Sequence, residues 1–410
     1  MKLSLRGCFY KRIIALNSIF IGLLTFFAIA VISSRKDKAE NLFLSFVDQL
    51  QCGKFTEAQQ SIDAATRLSP DNAYFWACRG LLIERTLQRK FAMEKFLAND
   101  LIINEKEMEH VKAAIASYRK ALELNPVDDL FYHNLGWLYV FIKDEKQAEF
   151  CFRQAIQIDS KIAVYHVSLG FLKEHEGKKD SDLIEYGRAV YQLPSLLDSP
   201  FFSKLKKRMP MESQQLVLNG TQILEKELQR SKNPIAAARL AKLYLFQGEK
   251  QRAISLLEQV TKELPSLSRP WLYLGDSYQS CYRDSAMIQC YRKSAFLDRF
   301  DIFPLLRLAQ YYDQQNKNSD AIQYYRKVLH ALPFQYSEHA RRVTRMYYSN
   351  RNDERGVVKD DLIPNGLLQY CSPIFDTSSV YLRLADLYTK NGKSRKADEY
   401  LELVGETTLK

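Results

Sequence analysis

The chain has 410 residues, 46% of them hydrophobic, with only 15 Gly and 12 Pro, a balance that excludes disorder and suits a long folded protein with few loops. Its formal net charge is +11, yet Lys2, Arg6, Lys11, Arg12, Arg35, Lys36 and Lys38 against Asp37 place +6 of it ahead of Ala39. The +5 spread over the rest of the chain is too dilute for the basic face that phosphate binding needs, so nucleic acid is set aside as a partner.

Residues 1–12 form a basic tail. Ile13 to Ile32 follows as IIALNSIFIGLLTFFAIAVI, a run without charge that spans the roughly 30 Å hydrocarbon core at 1.5 Å per residue. It predicts a transmembrane helix and a single-pass membrane protein. The rival reading is a cleaved leader, because Ala28-Ile29-Ala30 has the small-x-small form of a cleavage site; that would leave a secreted soluble binder. Val31 and Ile32 continue the run with no turn former between, which favours a retained anchor. Four basic residues precede the span and three follow it. Translocating so basic a tail is unfavourable, so the rest of the chain is expected on the far side of the membrane.

After Glu40 apolar residues recur every three or four positions and period-two alternation is hard to find, so the fold class is all-α and no sheet is expected. The stretch 131–159, FYHNLGWLYVFIKDEKQAEFCFRQAIQID, sets a pattern of Tyr132, Leu135, Gly136, Tyr139, Ala148, Phe152 and Ala155. Shifted along the chain, it returns. A first unit ends Ala58, Ile62, Ala65, Pro70; a second opens Trp76, Gly80 and closes Ala114, Tyr118, Ala121, Pro126. Another holds Leu169, Gly170, Tyr186, Ala189, Pro194. Then come Leu240, Ala241, Tyr244, Ala253, Leu257, Val260, Pro265; Trp271, Leu274, Gly275, Tyr278, Tyr291; Leu308, Ala309, Tyr312, Ala321, Tyr325, Val328, Pro333; and Tyr381, Leu384, Ala385, Tyr388, Ala397, Leu401, Val404.

Written W-x2-L-G-x2-Y-x8-A-x3-F-x2-A-x4-P, the pattern resembles the tetratricopeptide repeat, a helix–turn–helix unit of about 34 residues. The small residues let two helices approach to about 8–10 Å, and the prolines end one hairpin before the next begins. The resemblance implies a TPR-type α-solenoid, a right-handed superhelix of helix hairpins with a concave groove. The expected domains are an N-terminal array over 39–194 with a long insertion at 84–113, an irregular or degenerate unit at 195–233, three units at 234–335, an irregular insertion at 336–377, and a last unit at 378–410. Between Ile83 and Ala114 the chain is about 22 residues longer than the repeat needs, and the excess keeps helical character. It predicts both helices of that hairpin lengthened by about three turns into an arm of roughly 16 Å.

Catalytic motifs are not found. His110, His133, His166, His175, His330 and His339 have no zinc spacing and no HExxH or Gly-rich phosphate loop occurs, so no enzyme, metal or cofactor is expected. The seven Cys include no CxxC and read as buried free thiols. A binding role remains. The resemblance implies that the first helix of each hairpin lines the groove, which nominates His133, Trp137, Phe171, His175, Arg239, Lys242, Asp276, Arg307, Gln310, Asp313, Arg383 and Asp386. Trp137 and Phe171 would supply an apolar stretch, and Arg239, Arg307 and Arg383 contacts to carboxylates. The Lys and Asn pairing with which chaperone-binding members hold a terminal carboxylate is absent.

The expected function is a membrane-anchored scaffold or adaptor that binds protein or peptide segments in an envelope assembly, biogenesis or transport complex. The alternative is a subunit of a glycan-related enzyme complex that uses Phe334 to Thr377. The last hairpin ends at Lys410 without room for a capping helix, so it is expected to be covered by a partner, by a folded-back segment, or by a second copy, making the chain a homo-oligomer through its C-terminal hairpin.

Overall fold

The computed structural model describes residues 33–46, 49, 54–88, 104–177, 179–299, 301–331 and 377–408. Their regular structure is helical throughout, with no strand among the described residues. The chain divides into two compact units, Met1–Phe91 with Asp100–Asp144, and Ala92–Asn99 with Glu145–Lys410.

In the first unit, α1 covers 33–46, α2 Phe55–Leu68, α3 Ala73–Gln88, α4 Glu105–Leu124 and α5 Asp129–Phe141. The stripe Ala58, Ile62 and Ala65 of α2 is fully buried, as its four- and three-residue spacing requires. The Phe43 ring of α1 stacks on Phe75 of α3 at 5.1 Å. A capping box fixes the start of α4: Asn104 accepts from the Glu107 backbone N–H at 2.9 Å, and Glu107 accepts from that of Asn104 at 3.1 Å. Helices α3 and α4 run 16 and 20 residues, against 13 for α5. The remainder of the expected arm, 89–103, lies outside the described residues.

In the second unit, α6 is Glu145–Ile158, α7 Ala163–His175, α8 Lys179–Gln192, α9 Pro200–Arg208 and α10 Pro210–Arg230, with a 3-10 turn Pro194–Asp198 between α8 and α9. Then follow α11 Pro234–Gln247, α12 Lys250–Glu263, α13 Ser268–Gln279, α14 Asp284–Leu297, α15 Ile302–Gln314, α16 at 318–331, α17 Thr377–Lys390 and α18 Ser394–Thr408. Pro200, Pro210 and Pro234 stand in the first turns of their helices, where the missing N–H had no partner to lose. Asn233 caps α11 and Asp301 caps α15 through side-chain oxygens on early backbone N–H groups.

Three hairpins close on a glycine. A Cβ on Gly170 of α7 would lie 2.5 Å from the Tyr186 ring of α8, one on Gly275 of α13 2.4 Å from Tyr291 of α14, and one on Gly80 of α3 2.8 Å from Tyr118 of α4. The first two pairs share one sequence offset, from 170 to 186 and from 275 to 291, while the third runs from 80 to 118. The extra length of the second hairpin therefore leaves its basal contact in register. The last hairpin is anchored in the same unit by Arg383 of α17, whose guanidinium reaches Asp313 of α15 across 70 residues of chain.

The sequence-based placement in a membrane is corrected. Among the described residues no helix is long and apolar enough to cross one, because the helices interleave apolar with charged residues and bury one face against a neighbour. The expected span 13–32 and the tail 1–12 lie outside the described residues. The extracytoplasmic placement of the array, which rested on that span, falls with it. Most of the expected insertion at 336–377 is likewise outside them.

Candidate binding face

The first helices of the second unit's hairpins are α7, α11, α13, α15 and α17. Three of them, α7, α13 and α15, carry the carboxylate of a repeated triad. Asp276 on α13 accepts from the Tyr291 hydroxyl of its own hairpin at 2.8 Å and from Arg307 Nε of the next at 3.1 Å. Asp313 on α15 accepts from Tyr325 at 3.2 Å and from Arg383 Nε and Nη2 at 2.5 and 2.6 Å. Glu174 on α7 accepts from Tyr186 at 2.6 Å and from Arg208 Nε and Nη2 on α9 at 2.9 and 3.1 Å. A carboxylate thus receives one phenol from within its hairpin and one guanidinium from the helix stacked next to it. Burial, with the carboxylate beside it, raises the Tyr186, Tyr291 and Tyr325 phenols, so they stay protonated donors.

Beside this ladder lies a charged cluster. Lys242 of α11 is 7% exposed and its Nζ sits 2.7 Å from Asp198 Oδ2 and 5.3 Å from the Tyr273 ring centre. Burial works against its charge, but Asp198, Tyr273 and Asp276 outweigh burial and hold its pKa above the ordinary lysine value. Arg269 lies 3.5 Å from Asp301. Burial opposes its charge too, and Asp301 and Tyr273 more than compensate. The Arg269 side chain nevertheless keeps a quarter of its surface in contact with water. Lys242, Arg269 and Arg307 balance Asp198, Asp301 and Asp276, and these six side chains are fixed donors and acceptors.

The structure places the nominated residues unevenly. His133 and Trp137 lie in the core of the first unit, 0% and 4% exposed, with Trp137 Nε1 donating to His133 Nε2 at 3.2 Å. Burial drives the His133 imidazole down to about 3, against a smaller opposing effect of its hydrogen bond to Asn134. Phe171 is wholly buried between Tyr186 and Phe201, at 6.1 and 6.2 Å. His175 meets Glu145 at 3.2 Å. Lys242, Asp276, Arg307, Asp313 and Arg383 are held in the contacts above, and Asp386 accepts from Arg383 at 2.5 Å and Lys390 at 2.9 Å. The Lys390 hydrogen bond, with the two positive charges, keeps the Asp386 carboxyl below the usual range. Arg239 and Gln310 are half-buried and have no hydrogen bond or ion pair among the described residues.

Sequence reasoning missed Asp198, Arg269 and Tyr273. Tyr273 carried a signal, since Arg239, Tyr273 and Arg307 follow one another at a single repeat period. Asp198 had none, because it enters from the 3-10 turn in the dephased stretch. No group of three or more His, Cys, Asp or Glu among the described residues is placed to hold a metal ion. The alternative catalytic role was assigned to Phe334–Thr377, all but the last residue of which lies outside the described residues.

Fold and face together define an all-α solenoid of stacked helix hairpins, a class that mediates protein–protein contacts. The repeat is the tetratricopeptide repeat: family models match residues 105–128, 131–162, 305–330 and 378–404, and a further one matches 239–266, so the chain carries repeats of that family. Among solved structures it is similar to YrrB, described as a TPR protein with an unusual peptide-binding site, at 15% identity over 60% of this chain and 97% of that one, TM-score 0.26. It is also similar to PilF of Pseudomonas aeruginosa, at 13% identity over 69% and 99% of the two chains, TM-score 0.31. No curated protein matches the sequence.

Proposed function

We propose that the chain is a scaffold or adaptor that holds a segment of a partner protein on the face made by α11, α13 and α15. The observation that carries this is a contrast within that face. Lys242, Arg269 and Arg307 are fixed by aspartates, whereas the Arg239 guanidinium, the Gln310 amide and the Tyr273 hydroxyl have no hydrogen bond among the described residues. Immobilised neighbours reduce the ordering entropy that binding must overcome. The open groups are chiefly donors, and a guanidinium favours a bidentate carboxylate, so an extended segment bearing Asp or Glu is the fitting partner.

This reading supports a place in an assembly, biogenesis or transport complex. The envelope setting expected from the sequence rested on the membrane span and is not carried forward. The test is photo-crosslinking from position 310 in the full chain. An adduct that disappears in R239E is expected; an adduct that forms equally well in R239E refutes the face.

A further inference from the structure

A second surface has a lining of its own, sharing no residue with the polar face. Helices α8 and α10 pack together, and the space they leave beside α6 is a cleft of about 750 Å³. From α8 it takes Ile184, Gly187 and Tyr191, and from α10 Leu216, Gly220 and Ile223. On each helix the lining recurs every three to four residues, from 183 to 192 and from 212 to 223, so each stripe runs roughly 14–17 Å at 1.5 Å per residue, or about three turns. The two glycines keep the floor shallow: a Cβ on Gly187 would already meet Leu216 at 3.3 Å.

The walls stand open, with Ile184 56% and Ile223 51% exposed. A ligand pocket buries most of its occupant, and a small molecule on the floor would leave both isoleucines in water. A helix laid into the groove by its apolar face would touch both stripes over three turns. Charge narrows the choice. On the rim Gln215 Nε2 donates to Asn219 Oδ1 at 2.8 Å, and Arg188 is held by Glu185 at 2.7 Å. Glu212, exposed in the first turn of α10, has no ion pair among the described residues.

The geometry points to this cleft as a docking site for an amphipathic helix of a partner protein, with apolar residues at i, i+3 or i+4, and i+7 and a Lys or Arg set against Glu212. The lining of the cleft shares no residue with the face proposed above. It arises where the repeat loses phase: α10, 21 residues long, leaves the α8 stripe partly uncovered.

The test pans a phage-displayed library of random peptides, each long enough for about four helical turns, on the full chain and counter-selects on the I184E/I223E double variant. Both side chains are more than half exposed, so the variant keeps its fold, verified by circular dichroism. Clones that depend on the cleft should share the helical apolar period and a basic residue. They should bind I184E at least tenfold more weakly and E212K measurably more weakly. The proposal is overturned if every clone binds the variant as well as the parent, if cleft-dependent clones are extended or acidic, or if sodium laurate displaces them. Self-association abolished by I184E/I223E in sedimentation would also overturn it, by making a second copy the occupant.

Discussion

Gly275→Ala is the sharpest test of how these hairpins close. In the middle of a helix the change should help by about 1 kcal/mol, because glycine has more conformational freedom to lose. Here the new methyl would stand 2.4 Å from Tyr291 Cε1 and 2.6 Å from Cδ1, whereas carbon atoms rest at about 3.5–4.0 Å. The ring must therefore retreat by roughly 1 Å. It has nowhere easy to go: Tyr291 is 0% exposed, and its hydroxyl is bound to Asp276 at 2.8 Å and Gln279 at 2.9 Å. Overpacking of this kind costs about 1–3 kcal/mol, and a strained buried hydrogen bond adds about 1 kcal/mol. The net expectation is a loss of about 1–3 kcal/mol, read as a lower urea midpoint by circular dichroism. In a Y291F background the ring is released from Asp276, and the penalty should shrink by about 1 kcal/mol. Gly187→Ala meets only a leucine methyl at 3.3 Å and should be near neutral. If Gly275→Ala matches or exceeds the parent in stability, the glycine is not there for close approach.

Asp313→Ala should loosen the last hairpin by about 1 kcal/mol, a figure kept low because Arg383 is 40% exposed. Limited proteolysis should then cut around 377–408 before the rest of the second unit, and Arg383→Lys, which cannot form the bidentate pair, should reproduce most of the effect. His133, held near 3 in the folded chain against about 6.5 when unfolded, stays neutral while the unfolded chain takes up a proton. Stability of the first unit should therefore fall as pH drops from about 6.5 toward 3, by up to about 1.4 kcal/mol per unit. His133→Gln should flatten that slope in urea unfolding at pH 7, 6, 5 and 4. Burial, with Glu258 adding to it, pushes the Cys290 thiol up to about 12. Native-state maleimide labelling followed by mass spectrometry should mark half-buried Cys281 at least about tenfold faster than Cys290.

The hairpins were legible because their signal is steric and local. Gly170 and Gly275 announce their tyrosines at one fixed offset along the chain, and the prolines mark where one hairpin ends before the next. The binding face was legible as a face only. Periodicity says that Arg307 and Arg383 point to one side of their helices, but not that Asp276 and Asp313 wait on the helix stacked before them. Depth was hidden as well: Trp137 and Phe171 sit at equivalent positions of the pattern and are both buried, because burial depends on what the neighbouring helix leaves uncovered. Asp198 and the cleft beside α10 come from the stretch where the period slips, and there a period-based reading has nothing to extrapolate.

The Arg383–Asp313 contact spans 70 residues where the equivalent Arg307–Asp276 contact spans 31. Loop-closure entropy grows only with the logarithm of length, so the longer connection costs about 0.7 kcal/mol more, less than one good charge-assisted hydrogen bond contributes. The Arg383–Asp313 contact by itself thus outweighs the extra closure cost of its longer span, and the seat of the final hairpin is set by that contact and not by its distance along the chain.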